Sequence, residues 1–556
     1  MKDFKKSVVY QIYPKSFNDS NGDGFGDLKG VTSKLDYLKT LGVDYIWLTP
    51  FYISPQKDNG YDVADYYKID ERFGTMEDFE EMVLEANKRG IDIMLDMVFN
   101  HTSTEHQWFK NAMNGDEKYK NYYIFKQPKD GKEPTNWISK FGGSAWRYVE
   151  EFNEYYLHLF DVTQADLNWE NQEVKKEIFD IVNFWIEKGV KGFRFDVINL
   201  ISKSDEYEDD YEGDGRRFYT DGPRIHQYLK ELSAETFGKH EDIITVGEMS
   251  STTIDNCNKY SNQEEKELSM VFNFHHLKVD YKDGDKWTLM DFHFKKLKEV
   301  FNSWQVGIQE GNGWNAVFWC NHDQPRIVSR FGNDKEYHKE SAKMLATSIH
   351  MLRGTPYIYQ GEEFGMTNPY FDKIDLYRDI ESINYYNILK QQGVDEEEII
   401  KILQSKSRDN SRTPIQWNKN SNSGFTTGTP WISVGKNYED VNAEQALNDK
   451  DSVFYHYQKL IKLRKEYDII AYGDFELILE EHEDIFSYIR HYNDEKLLVI
   501  NNFYGKETTF ELPLELNFDE YKNEILISNY SDSSKELKKL KLRPYESIVY
   551  LLTNNG

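Results

Sequence analysis

The sequence predicts an α/β fold: a (β/α)8 TIM barrel with an inserted subdomain after the third strand and a C-terminal antiparallel β-sandwich. Three observations predict it. Short β-branched and aromatic runs alternate with longer helical patterns, which marks βαβ units and a parallel sheet. Eight such runs occur before Lys465, the number that closes a barrel, and beyond it closely spaced alternating strand patterns take over.

The elements follow in chain order. The first strand-like run is 8–14, followed by an amphipathic pattern over 31–41 and a second run at 43–50. A helix is expected over 76–88, with Gly90 as its C-terminal cap, and then a third strand over 91–100. From His101 to Asn168 the alternation gives way to an aromatic, Gly- and Lys-rich segment. It is too long for an ordinary βα connection and reads as an inserted subdomain, 101–168. A helix at 174–188, a fourth strand at 190–199, a helix at 223–237 and a fifth strand at 243–248 resume the pattern. The last three strands fall at 270–274, 316–320 and 356–359, and 368–411 is a further excursion with a helix at 396–404. After a helix at 452–465, alternating runs such as 486–490 and 497–500 define the sandwich, 472–556, leaving 1–100 and 169–471 to the barrel.

Composition narrows the function. A chain of 556 residues with 39% hydrophobic and 15% aromatic content can build a large core and sites that stack flat rings. The formal net charge of -28 argues against nucleic acid or an anionic membrane as partner. Cys257 and Cys320 are too few for a disulfide framework and read as reduced thiols. The start, Met1-Lys2-Asp3-Phe4-Lys5-Lys6, has no apolar signal segment, and no run reaches transmembrane length. A cytoplasmic protein, monomeric or weakly oligomeric, is the expectation.

The most informative stretch is Gly192-Phe193-Arg194-Phe195-Asp196-Val197-Ile198-Asn199. Arg194 and Asp196 share one face of a strand, where either charge buried alone would be costly. Alone, the pair could be a structural ion pair. A TIM barrel, however, gathers its active site at the C-terminal strand ends. Read there, the chain offers Asp96, Asn100 and His101, then Arg194 and Asp196, then Glu248, then His322 and Asp323. Retaining glycoside hydrolysis needs two close carboxyl groups, one ionised to attack the anomeric carbon and one protonated to serve the leaving oxygen. Arg194 would keep Asp196 ionised, whereas Glu248, beside Gly247 in apolar surroundings, would have its pKa raised and act as the acid. Asp323 is left to stabilise the oxocarbenium-like transition state or hold sugar hydroxyls.

These runs resemble the α-amylase superfamily of retaining α-glucosidases. Asp96 to His101, Gly192 to Asn199, Val246-Gly247-Glu248 and Asn321-His322-Asp323 are similar to its four main signature segments, in order. The resemblance implies Asp196 as nucleophile, Glu248 as acid/base and Asp323 as transition-state stabiliser, with Arg194, His101 and His322 around the same sugar ring. Asp58-Asn59-Gly60-Tyr61-Asp62 resembles the run that closes the glucose pocket of exo-acting members. There Tyr61 would stack on the sugar, Asp58 would hold its far hydroxyls, and Arg412 would pair with Asp58. No cofactor is implied for catalysis.

Asp19-Ser20-Asn21-Gly22-Asp23-Gly24-Phe25-Gly26-Asp27 spaces oxygen ligands at every second residue around glycine turns, as a loop wrapping a hard cation does. It also reads as an acidic Asx-turn loop without metal. It resembles a structural calcium site of oligosaccharide α-glucosidases, with Asp19, Asn21, Asp23, Phe25 and Asp27 holding calcium or magnesium.

Within the superfamily the chain is most similar to the group containing oligo-1,6-glucosidases, dextran glucosidases and trehalose-6-phosphate hydrolases. The segment from Phe274 to Trp287 and the run Phe318 to Arg326 resemble the phosphate-accepting members, and Gln164-Ala165-Asp166 departs from the Gln-Pro-Asp of the 1,6-glucosidases. The substrate this implies is the phosphorylated disaccharide α,α-trehalose 6-phosphate. A dianion on a protein of charge -28 needs local cations, and Lys278 and Lys286 are the candidates, although lysines interleaved with Asp280, Asp283 and Asp285 could equally be a solvated loop. The rivals are an α-1,6-glucosidase of the same mechanism and a non-catalytic scaffold relative.

Overall fold

The computed structural model describes residues 2–554. Eight parallel strands form the barrel: β1 Val9–Ile12, β2 Tyr45–Leu48, β3 Asp92–Met97, β4 Gly192–Phe195, β5 Ile244–Glu248, β6 Met270–Phe272, β7 Ala316–Val317 and β8 Thr355–Tyr359. The ladder runs β6-β5-β4-β3-β2-β1-β8-β7, and a parallel bridge between Val271 and Asn315 joins its two edges. Every residue of β1, β2 and β4 is buried, as expected of strands covered on both faces. Helices follow each strand: α1 Leu35–Leu41, α2 Met76–Lys88, α3 Gln172–Glu187, α4 Ile225–Glu235, α5 Ile254–Ser261, α6 Phe294–Glu310, α7 His338–His350 and α8 Val453–Glu466.

Local chemistry sets these boundaries. Thr75 and Asp78 form a reciprocal capping box at the start of α2, and Gly90, at φ +75°, takes the left-handed step beyond its end. The expected helix over 31–41 is two helices, Leu28–Ser33 and α1, separated at Lys34. It begins early because the Asp27 carboxylate accepts from the Gly30 N–H at 2.6 Å and caps the first piece. Strand β7 stops at Val317 rather than Cys320, since the Phe318 carbonyl is engaged by the His276 ring at 2.8 Å instead of by the ladder.

The segment between β3 and α3 carries a three-stranded antiparallel sheet (Phe125–Lys126, Trp146–Val149, Glu154–Leu157), and its last strand, Gln164–Asp166, pairs antiparallel with His101–Ser103. A buried ammonium ties it down: Lys203 Nζ reaches Asn100 Oδ1 at 2.8 Å, the Leu200 carbonyl at 2.7 Å and Asp166 Oδ2 at 2.9 Å. The excursion after β8 folds into helices Ile380–Gln391 and Glu396–Lys406. At the C-terminus, a five-stranded antiparallel sheet and a two-stranded sheet, Thr508–Glu511 with Lys539–Leu542, enclose a separate core of Ile485, Ile489, Leu498, Phe510, Leu540 and Tyr550.

Candidate active site

Arg194 is the centre of the barrel mouth. Its guanidinium donates through Nη1 to Asp96 Oδ1 at 2.8 Å and Asp196 Oδ1 at 2.7 Å, and its Nη2 contacts Glu248. One cation is therefore shared by three carboxyl groups from three adjacent strands, and burial with the nearby Asp196 charge raises the pKa of Asp96 to about 7. The β4–β5 register explains the convergence: Arg194 lies opposite Asp96 on one side and Val246 on the other, so Asp196 and Glu248 fall just past the last paired residues, Phe195 and Gly247. Val197 then turns the chain away with a left-handed φ of +37°, a conformation unfavourable for a β-branched residue. The surroundings of Glu248 are thus not simply apolar, because Arg194 stands against it.

Asp196, Glu248, Asp58, Tyr61, His101, Lys286, His322 and Asp323 line one cavity of about 250 Å³. This is slightly below the range of about 300–1,000 Å³ usual for small-molecule pockets, a space for a small ligand. Tyr61 donates to Asp96 Oδ2 at 2.8 Å and stacks on His322, with ring centroids 5.0 Å apart. His322 is fixed through Nδ1 to the Gln11 amide at 2.7 Å, and His101 through Nε2 to the Tyr61 carbonyl at 3.1 Å. Burial lowers the pKa of both rings, that of His322 to about 3, so His322 is a neutral imidazole. Burial also works against charge on Asp323, but His322 where it is protonated in acid, together with Arg408, Arg412 and Arg194, outweighs it and holds that carboxyl well below the usual range.

The expected pairing of Arg412 with Asp58 is not found. Arg408 Nη2 donates to Asp58 Oδ1 at 3.0 Å, whereas Arg412 donates to Asp323 Oδ1 and to the His322 carbonyl, both at 2.8 Å. Arg408 precedes and Arg412 ends the short helix Asp409–Arg412; Arg408, which lines the cavity, takes Asp58 and also reaches Asp323 Oδ1 at 3.3 Å, while Arg412 is left to Asp323. Arg408 also bonds Asp379 Oδ1 at 2.6 Å and lies 3.4 Å from Glu381. Burial, only partly offset by Arg408 and Arg412, pushes the Asp58 carboxyl up to about 7.

At the mouth, Lys286 lines the cavity but donates to Glu381 Oε2 at 2.6 Å; burial opposes its charge and Glu381 restores it. Lys278 lies outside the cavity lining, beside Lys140 and Arg216. Lys140 does line the cavity, and burial with neighbouring Arg216 pulls its ammonium down to about 8. Lys140, Phe141, Phe160, Glu381 and Arg408 are pocket residues that the sequence did not single out. Arg408 had a signal, a second arginine four residues before Arg412; Lys140, in an irregular Gly- and Lys-rich segment, had none.

In the loop 19–27, Asp19 accepts from the N–H groups of Asn21, Gly22 and Gly24, Asn21 from Asp23, and Asp23 from Phe25. Asp27 serves as helix cap and accepts from Ser20. Among the described residues no three His, Cys, Asp or Glu side chains are grouped to hold a metal ion, so any cation here would rely on amide and carbonyl oxygens beside the carboxylates.

The model of the α-amylase catalytic domain matches residues 11–473, and that of the SusG-type α-amylase C-terminal domain matches 485–549. The chain belongs to the α-amylase family of glycoside hydrolases. It is 60% identical to the trehalose-6-phosphate hydrolase of Bacillus subtilis over 99% of this chain and 98% of that one. It is 51% identical to the oligo-1,6-glucosidase of Bacillus cereus, over 99% of both chains. The crystal structure of Bacillus licheniformis trehalose-6-phosphate hydrolase superposes with a TM-score of 0.96 at 61% identity, covering 99% of this chain and all of that one.

Proposed function

We propose that this glycoside hydrolase cleaves α,α-trehalose 6-phosphate to glucose and glucose 6-phosphate with retention. The carrying observation is the polarity of the pocket: one end is closed by the Asp58–Arg408 pair, and Lys140 lines the mouth, with Lys278 and the Asp214-bonded Arg216 near enough to act on its charge. The unphosphorylated glucose fits the closed end, and the phosphate faces the cations. Asp196 attacks the anomeric carbon and the glycosidic C–O bond breaks; Glu248 gives its proton to the departing oxygen, and glucose 6-phosphate leaves. Glu248, now ionised, takes a proton from water, which displaces Asp196 and releases glucose. Asp323, held ionised, and neutral His322 steady the positive charge that develops on the ring. Mass spectrometry after trapping with a slow ring-fluorinated α-glucosyl fluoride tests the covalent step: anomeric fluoride leaves, and the fluoroglucosyl mass is expected on the peptide carrying Asp196.

One observation favours a second reading, an α-1,6-glucosidase: Glu381 occupies Lys286, placing a carboxylate where a phosphate needs free cations. The pocket is complete within one chain, in keeping with a monomer or weak oligomer. No helix among the described residues is long and apolar enough to cross a membrane. For the loop 19–27 we propose a structural calcium or magnesium ion held by Asp19, Asn21, Asp23, Asp27 and the Phe25 carbonyl, supported by the alternating oxygen spacing. Chelation would then lower stability by about 2.7 kcal/mol when the ion stood at a hundred times its Kd.

A further inference from the structure

The β4–β5 ladder ends at Phe195 and Gly247, one residue before each proposed catalytic carboxylate. Backbone pairing between β4 and β5 does not continue there, because Val197 turns the chain away, while the Asp196 N–H stays on β3, donating to the Met97 carbonyl at 2.9 Å. Arg194 links the two carboxylates through their side chains, and the backbones beyond them need a tie of their own. Asn199, wholly buried three residues after Asp196, supplies it with its side-chain amide. Its Oδ1 accepts from the Ser250 N–H at 2.9 Å and its Nδ2 donates to the Ser250 carbonyl at 2.8 Å. The amide thereby replaces a missing ladder partner and grips the backbone two residues beyond Glu248.

The clamp is braced in turn. Nδ2 also donates to Asp221 Oδ1 at 3.0 Å, and the Asp221 N–H donates to the Asn199 carbonyl at 2.9 Å. Asp221 is held by Tyr260 at 2.5 Å and by Thr252 and Asn256, each at 3.0 Å. Thr252 belongs to the loop after β5, and Asn256 and Tyr260 to α5. The network thus runs from the end of β4 to the segment carrying Glu248 and ends on the helix behind it.

We infer that Asn199, braced by Asp221, is a positioning residue that sets the reach of Glu248 to the glycosidic oxygen. The inference rests on the roles proposed above for Asp196 and Glu248. Loosening the clamp moves the acid more than the nucleophile, because the Asn199 carbonyl still holds the Asp221 N–H and Asp196 keeps Arg194 and Met97, whereas Ser250, two residues beyond Glu248, loses both of its bonds to Asn199. The damage therefore depends on the leaving group: a sugar alkoxide needs the proton, fluoride scarcely does.

The test compares N199A, D221A and E248Q with the parent enzyme on α-glucosyl fluoride and on the sugar substrate, with melting temperatures alongside. N199A is expected to lose about 10²-fold in kcat on the sugar, the scale of an ångström-sized misplacement, and less than about tenfold on the fluoride. D221A, which leaves the Asn199–Ser250 bonds in place, should show a smaller loss of the same shape, and it carries the test if N199A does not fold. Equal losses on both substrates, or none, overturn the clamp when E248Q retains its leaving-group dependence. Should E248Q itself lack that dependence, the acid assignment falls and takes the clamp with it.

Discussion

Replacing Lys140 by alanine separates recognition of the phosphate from the chemistry of the glucoside. Lys140 lines the cavity with Arg216, Asp214 and Lys278 acting on its charge, and among the described residues no carboxylate is bonded to it as Glu381 is to Lys286. A charge-assisted hydrogen bond contributes about 1.5–3 kcal/mol, which converts to about 10- to 150-fold in kcat/KM. K140A should lose that much on trehalose 6-phosphate and almost nothing on an aryl α-glucoside, whereas K140R should retain most of the activity. The pH dependence gives an independent readout. A dianion binds the protonated ammonium, whose pKa in the free protein is about 8, so KM for the phosphorylated sugar should climb above pH 8 while KM for the aryl glucoside stays flat. In K140A the two profiles should become parallel. Equal losses on both substrates, or an unchanged phosphate-specific rise above pH 8, would refute the reasoning.

Other outcomes follow from the same geometry. K286A should weaken both substrates rather than the phosphorylated one alone, because it leaves Glu381 to Arg408 alone, in competition with Asp58; initial rates on the two substrates decide. Asp58 has a folded pKa of about 7, raised above that of an unfolded aspartate, so its contribution to stability is complete below the unfolded value and lost as pH rises through 7. Glucose binding runs the other way, needing the ionised form, and KM should rise below pH 7 in the parent but not in D58N. K203M should destabilise the fold by about 3–5 kcal/mol, the cost of breaking a buried pair, by stranding Asp166 and Asn100; urea midpoints measure it. D196N should abolish turnover with the melting temperature nearly unchanged, and substantial residual activity would remove Asp196 as nucleophile.

How far the sequence carries can be seen residue by residue. Barrel strands were legible because buried parallel strands are continuous apolar runs, and the strand-end rule placed Asp196, Glu248, Asp323, His101 and His322 at one mouth. Strand ends were overextended, as at 316–320, because apolar character continues after the ladder stops. Arg412 was assigned the partner that belongs to Arg408, since sequence spacing does not say which of two arginines on a short buried segment faces the cavity. Lys140 reaches the mouth only through the folding of an irregular segment, which has no periodicity to read. The pairing of Lys286 with Glu381 joins residues 95 positions apart and depends on an excursion whose course sequence pattern does not set.

The central claim is that a glucose-closed pocket with a cationic mouth selects a phosphorylated disaccharide. Initial rates on trehalose 6-phosphate, trehalose and isomaltose at equal concentration test it most directly. Strong preference for trehalose 6-phosphate is expected, with glucose 6-phosphate and glucose released in equal amounts. Preference for isomaltose would contradict it, leaving the carboxylate mechanism intact and moving the chain to the α-1,6-glucosidases.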